Sequence, residues 1–195
     1  MANLVNFGLS NVHTGTCDYA DGAYTFGAPE AISGAVSLSI DAEFNTTDVY
    51  ADNGIYYSAK VNNGYSGTLE MVDLPISWCE KYLGLKQATD GGYVEVSDAK
   101  FQDFYLMFQV ETNENPTKYI LYRNTITNKP SYEFKTTEDS VEVVNASIEF
   151  KAMPLLDGTK AIKRNVYEGD SVYAKFFETA PTVPTFASTA KSKTE

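Results

Sequence analysis

Between Ile32 and Asp41 the chain alternates, with Ile32, Val36, Leu38 and Ile40 on one side and Ser33, Ser37 and Ser39 on the other. A period of two predicts a half-buried strand. The next stretch carries two turn signals, Asp52-Asn53-Gly54 and Asn62-Asn63-Gly64. Asn-Gly pairs supply the positive φ of tight hairpin turns. They predict strands near Thr46–Tyr50, Ile55–Val61 and Tyr65–Val72. Pro75 then suits the first turn of a helix. Ile76, Cys79, Tyr82 and Leu83 form one apolar stripe behind it, and Gly84 is a plausible stop. Gln87 to Asp98 reads as a loop with a small hairpin at Gly91-Gly92. Phe101–Val110, Lys118–Ile126 and Ser140–Met153 are further strands. In the last, Val144, Ala146, Ile148, Phe150 and Ala152 alternate with Asn145, Ser147, Glu149 and Lys151. A short strand is expected around Ala161–Arg164, and a second short helix over Ser171–Phe177 with Ser171 as its cap. From Ala180 the chain turns to Pro, Thr, Ser and Lys, which predicts a mobile tail.

Strands in runs with one main helix and no regular βα alternation point to a mainly β fold. The predicted architecture is a sandwich or barrel flanked by a short helix. The 195 residues suit one domain, placed over 1–179, with a tail over 180–195. Fourteen Tyr and eleven Phe reinforce the β reading, because aromatic residues favour strands.

Charge narrows the function. The formal net charge is −11. Met1–Ala59 holds seven acids and no Lys or Arg, and Met1–Asp98 carries 13 acids against 3 bases. Gripping nucleic acid needs clustered cations, so this balance argues against it. It suits a surface that repels DNA, and its asymmetry suggests one acidic face. The N-terminus lacks a basic start and an apolar run, so no signal peptide is expected. No stretch approaches the roughly 20 apolar residues of a membrane span.

Candidate chemistry is sparse. His13 is the one histidine, with Cys17 four residues on. A catalytic pair also needs an orienting group and an anion hole, which nothing marks. One His and two distant Cys, Cys17 and Cys79, cannot make a structural zinc site. The acidic turns before Gly22 and Gly54 lack the spacing of a hand-type calcium loop. No phosphate loop or dinucleotide fingerprint occurs. Neither a metal nor a cofactor is expected. What stands out is Tyr and Asn on loops. Tyr50, Tyr56, Tyr57 and Tyr65 bracket the two Asn-Gly turns, either covering the sheet or forming a contact surface.

The segments NLVNFGLSNVH, AISGAVSLSIDAE, TTDVYADNGIYY and NNGYSGTLEMVDLP, then FYLMFQVE, KYILYRNTITNKPSYEFKTTEDSVEV and ASIEFKAMPLLDG, follow in the same order as in a known family. The chain resembles the major tail proteins of siphophages infecting Gram-positive bacteria, from about Asn3 to Phe177. The resemblance implies a tail-tube β-sandwich with a long hairpin arm, and hexameric rings stacked around a tape measure protein. It implies a virion protein assembled in the host cytoplasm and joined to a tail terminator and a distal tail protein. Genomic double-stranded DNA would pass the lumen without specific binding. The arm is expected over Asp41–Tyr65, with Tyr50, Asp52, Asn53, Gly54, Tyr56, Tyr57, Asn63 and Tyr65 as contacts between subunits. Lys160, Lys163 and Arg164 are a candidate basic cluster for ring stacking. The alternatives are the tube protein of a bacteriocin-like particle and a carbohydrate-binding β-sandwich. An enzyme is disfavoured by the missing site.

Overall fold

Phe104 to Phe108 is apolar at every position, and a strand of that kind must be covered on both faces. The computed structural model describes residues 5–51, 53–131 and 145–186, with backbone alone at 49–51. Its strands are β1 (Asn6–Ala20), β2 (Ala23–Phe26), β3 (Glu30–Ala31), β4 (Ala35–Ala51) and β5 (Gly54–Met71). After a helical segment come β6 (Lys86–Gln87), β7 (Tyr93–Val94), β8 (Phe104–Thr112), β9 (Thr117–Ile126), β10 (Ala146–Ala152) and β11 (Lys163–Val166). The main sheet is antiparallel in the order β2-β1-β8-β9-β10-β5-β4, with β3 added to β1 and β11 to β9. β1 also approaches β4, so the sheet curls around its core. The fold is mainly β, in keeping with the expected sandwich.

β8 and β9 separate two apolar clusters. Phe104, Leu106, Phe108 and Leu121 face the larger one, together with Leu69, Ile148 and Phe150. Tyr105, Met107, Ile120 and Tyr122 face the second, which Leu155, Val166 and Phe176 close from the C-terminal side. The larger cluster is built on aromatic contacts: Trp78 lies 4.9 Å from Tyr82, and Phe104 meets both Tyr82 and Phe150 edge-on. Edge-to-face pairs add about 0.5–1.5 kcal/mol beyond the area they bury. The Trp78 indole N–H donates to Thr14 Oγ1 at 3.2 Å, so its one polar group is satisfied inside.

The helix is a single α turn, Ile76–Trp78, running into a π-type turn, Cys79–Leu83. Gly84 ends it in the left-handed region at φ 71°, as expected. Pro75 caps it from outside the first turn. The buried stripe is Trp78, Cys79, Tyr82 and Leu83, and Ile76 is exposed. Trp78 carries far more apolar area than Ile76, and its burial rotates the stripe.

Other expectations need correction. β1, the partner of β8 over Asn6–Thr16, was not apparent in the sequence pattern. Val36 is a bulge residue between Ala35 and Ser37 and faces solvent, while Leu38 and Ile40 pack on the core. Ile32 is buried but lies outside β4 and donates its N–H to Val12 O. Asn62-Asn63-Gly64 is not a turn. β5 runs through it, with Glu43 opposite Gly64 and Phe44 opposite Asn62, so Asn63 is the extra residue of a bulge. Bulges and hairpin turns both use positive φ, which is why one signal serves either. Ser171–Phe177 is a chain of turns with i to i+3 bonds, such as Tyr173 N to Asp170 O and Phe176 N to Tyr173 O. Tyr173, Phe176 and Phe177 are each anchored separately in the second cluster. Gly91-Gly92 does sit between the paired strands β6 and β7. Of the Ser140–Met153 strand, β10 covers the end, and 140–144 lie outside the described residues. Beyond Ala180, Val183 packs on the second cluster, and 187–195 lie outside the described residues.

Gly64 has φ 113°, and a Cβ there would stand 1.9 Å from Ala152 O. Gly64→Ala is expected to lose about 2–4 kcal/mol of stability. Gly54→Ala, with nothing within 4 Å of the new methyl, should stay within about 0.5 kcal/mol. Urea unfolding of both variants checks this, and equal losses would contradict it.

Candidate functional site

β4 and β5 pair from Ala35/Met71 to Ala51/Gly54, but β10 covers β5 only over Tyr65–Met71. The remainder, Phe44 to Asn62, is a two-stranded arm about 25 Å long. Its tip is the tight reversal expected from sequence, with Asn53 in the left-handed region at φ 62°. Asp52 and the Tyr50 side chain lie outside the described residues. Val49 pairs with Tyr57 and Tyr50 with Ile55, which leaves Tyr56 as a bulge residue, 79% exposed. Phe44, Ile55, Tyr57 and Val61 are exposed as well. Residues directly opposite share a face, so Tyr57, Ala59 and Val61 lie on one side with Thr47 and Asn45. The other side carries Thr46, Lys60, Asp48 and Ser58. Tyr65 is not on the arm proper. It packs on the main core at the root, with Lys163 Nζ 5.1 Å from its ring centre.

Where the arm joins the sheet, the outward face of β4 from Ser37 to Glu43, with the stretches of β5 and β10 in register with it, is polar. Ser37, Ser39, Asp41 and Glu43 lie in register with Ser66, Thr68 and Glu70, and these with Ser147, Glu149 and Lys151. Four carboxylates share this face with one Lys. Lys151 pairs with Glu43, and Ser37 donates to Glu70 at 2.8 Å. The opposite faces of the same strands supply Leu38, Ile40, Leu69, Ile148 and Phe150 to the core. The strand alternation therefore fixes which side is wet.

The predicted basic cluster is brought together on the far side of β9. Lys160, Lys163 and Arg164 line one cleft of about 480 Å³ with Tyr122, Val183 and Phe186. Lys160 is held at φ 50° by the Asp157–Lys160 turn, in which Asp157 Oδ1 accepts from Thr159 N and Oγ1. Burial pushes the Tyr122 phenol above its usual range, and the Arg164 guanidinium opposes this. Among the described residues no carboxylate pairs with any of these three cations.

The family described as phage tail tube protein matches residues 13–190. The chain belongs to the phage tail tube protein family. No curated protein is significantly similar to it. Its role is therefore structural, as a component of the phage tail that assembles with itself into a tube.

The groups that invited a catalytic reading in this tail tube protein are placed for packing. His13 and Cys17 are four residues apart on β1, a rise of about 13 Å. The His13 ring stacks on Phe177 at 4.8 Å. Cys17 is buried and its thiol is pushed up to about 12, first by burial and then by the Asp103 carboxylate, against the pull of Arg123. Among the described residues no cluster of three or more His, Cys, Asp or Glu could hold a metal ion. No helix there is long and apolar enough to cross a membrane. The polar face of β4, β5 and β10 was missed as a site. Its signal was present in the Ser37/Ser39 and Ser147/Glu149/Lys151 alternation, but alternation alone does not say what covers each side.

Two predictions follow from burial. The double change Tyr56→Ser and Tyr57→Ser should shift subunit Tm by no more than about 2 °C, because exposed sites away from caps and strain change stability by within about 0.5 kcal/mol. A folded-state thiol pKa above the unfolded one contributes stability that is full below about pH 9 and lost as pH rises towards about 12. Cys17→Ala should flatten that alkaline decline relative to the parent in denaturant titrations. An unchanged slope would show that Cys17 is not its source.

Proposed function

We propose that this chain is the major tail tube subunit of a long-tailed phage, forming stacked hexameric rings around a tape measure protein and conducting DNA during ejection. The observation that supports the reading best is the polar, acid-rich face of β4, β5 and β10, set beside a long arm that pairs with nothing else among the described residues. Asp41, Glu43, Glu70 and Glu149 turned towards a lumen would repel phosphates, so DNA would slide without being trapped. Ser and Thr between them offer short, uncharged contacts.

The arm supplies the means of association. Among the described residues no strand pairs with the outer edge of β4, or with the second edge of β5 between Gly54 and Gly64. Long bare edges seek partners, and joining them between subunits removes the hazard. Tyr57, Ala59 and Val61 give the arm an apolar side to lay on a neighbour. A tail terminator and a distal tail protein would close the two ends of such a tube, which places the protein in the virion after assembly in the host cytoplasm. The carbohydrate-binding alternative needs aromatics lining a groove, whereas Tyr56 and Tyr57 stand on a protruding hairpin.

Concentrated subunit is expected to form hollow, regularly striated tubes in electron micrographs. Replacing Asp52–Gly54 and Tyr56–Tyr57 by a short Gly-Ser turn should leave a folded subunit that does not polymerise. Normal tubes from that variant would remove the arm from the contact, and absence of rings or tubes from the parent at any concentration would overturn the reading.

A further inference from the structure

We infer that the cationic cleft at Lys160, Lys163 and Arg164 is the receptor for the acidic segment Tyr132–Val144 of a second copy of this chain. The inference rests on the reading that subunits stack, and it names the partner surface. The cleft holds three cations without a carboxylate partner among the described residues, beside the apolar walls of Tyr122, Val183 and Phe186. An occupant should therefore be acidic and partly apolar. Tyr132–Val144 carries Glu133, Glu138, Asp139 and Glu142 against Lys135, together with Tyr132, Phe134, Val141, Val143 and Val144. The C-terminal residues after Phe186 do not fit, since they bring Lys191 and Lys193 against Glu195 and would add cations to cations.

The anchors of the segment are set well away from Lys163 and Arg164 of its own cleft. β10 and β11 lie along the same edge of β9, with Phe150 opposite Ile126 and Lys163 opposite Leu121. The segment leaves and rejoins the sheet at the Ser131–Ser147 bridge, three residues before Phe150. Along β9 that bridge is about eight residues, or roughly 27 Å, from Lys163, and further from Arg164. Thirteen residues tied at both ends span at most about 24 Å to their midpoint, so a contact with Lys163 and Arg164 of the same subunit would need a fully stretched chain, at a large cost in conformational entropy. The anchors of the acidic segment thus stand towards one end of β9, and Lys163 and Arg164 towards the other. A contact between unlike ends does not close on itself and propagates from copy to copy. Charge complementarity in such a contact sets register and speeds encounter.

Two experiments on the full chain test this. A labelled peptide of residues 132–144 should bind the subunit at low salt. Binding should weaken at least tenfold in the Lys160→Glu, Lys163→Glu, Arg164→Glu variant and fall steeply with added salt, as screened charges require. Tube growth should fail in that variant and in a Glu138→Lys, Asp139→Lys, Glu142→Lys variant, each shown folded by its melting curve, and return when both sets are combined in one chain. The inference is overturned if the peptide ignores the cleft, if the cleft variant polymerises at the parental rate, or if the combined chain folds without regaining tubes. It is also overturned if the cleft binds duplex DNA and not the peptide. Should the parent form no tubes, the stacking reading fails, and the peptide titration still decides whether the cleft takes this segment.

Discussion

The structure depends on burying the β8–β9 hairpin from both sides. A strand that reads Phe-Tyr-Leu-Met-Phe cannot leave either face to water. Curling the sheet and adding the helix covers one face with Trp78, Tyr82 and Phe150. The turns after Val166, which have no regular structure of their own, cover the other with Phe176 and Val183. Each cover is local, but both are anchored to the same two strands. The aromatic contacts of one side and the C-terminal segment of the other are thus two halves of one requirement.

With the centre fixed in this way, the periphery is free to be polar. β4, β5 and β10 bury one face only, so their other face can carry Ser, Thr, Asp and Glu at no cost to the core. The same strands (β4 and β5) run past the end of the core as the arm, where the described residues bury neither face. One pair of strands therefore serves as core, as wet wall and as protrusion along its length. The change of role falls at Asn63-Gly64, where the bulge interrupts the register.

The sequence made some of this legible. The central and late strands, the Gly84 stop, the tip of the arm and the hairpin at Gly91-Gly92 were readable because each rests on local periodicity or on positive φ. β1 was not. Its pattern is broken by bulges at Gly8 and Asn11, and its buried residues include Thr14 and Gly15, which gain their place from Trp78 and Tyr105 across the sheet. Asn62-Asn63-Gly64 was ambiguous, because a bulge and a turn ask the same of the backbone. The segment 171–177 was read as a helix with Ser171 as its cap, but serine suits an isolated turn as well as a helix start. The arm and the basic cluster were visible as composition, but the polar wall was hidden. Ser and Glu at alternate positions look like any solvated strand until the neighbouring strands are known.

The close approach of Gly64 to the Ala152 carbonyl makes the arm's root a lever. An angular error of 5° at the root displaces the end of a 25 Å arm by about 2 Å, enough to spoil a side-chain contact. In a repeating assembly such an error recurs at every copy and adds up along the length. The tightest backbone contact at the root would then act as a gauge. Its missing methyl group fixes an angle, and that angle bears on the straightness of a structure many times larger than the subunit.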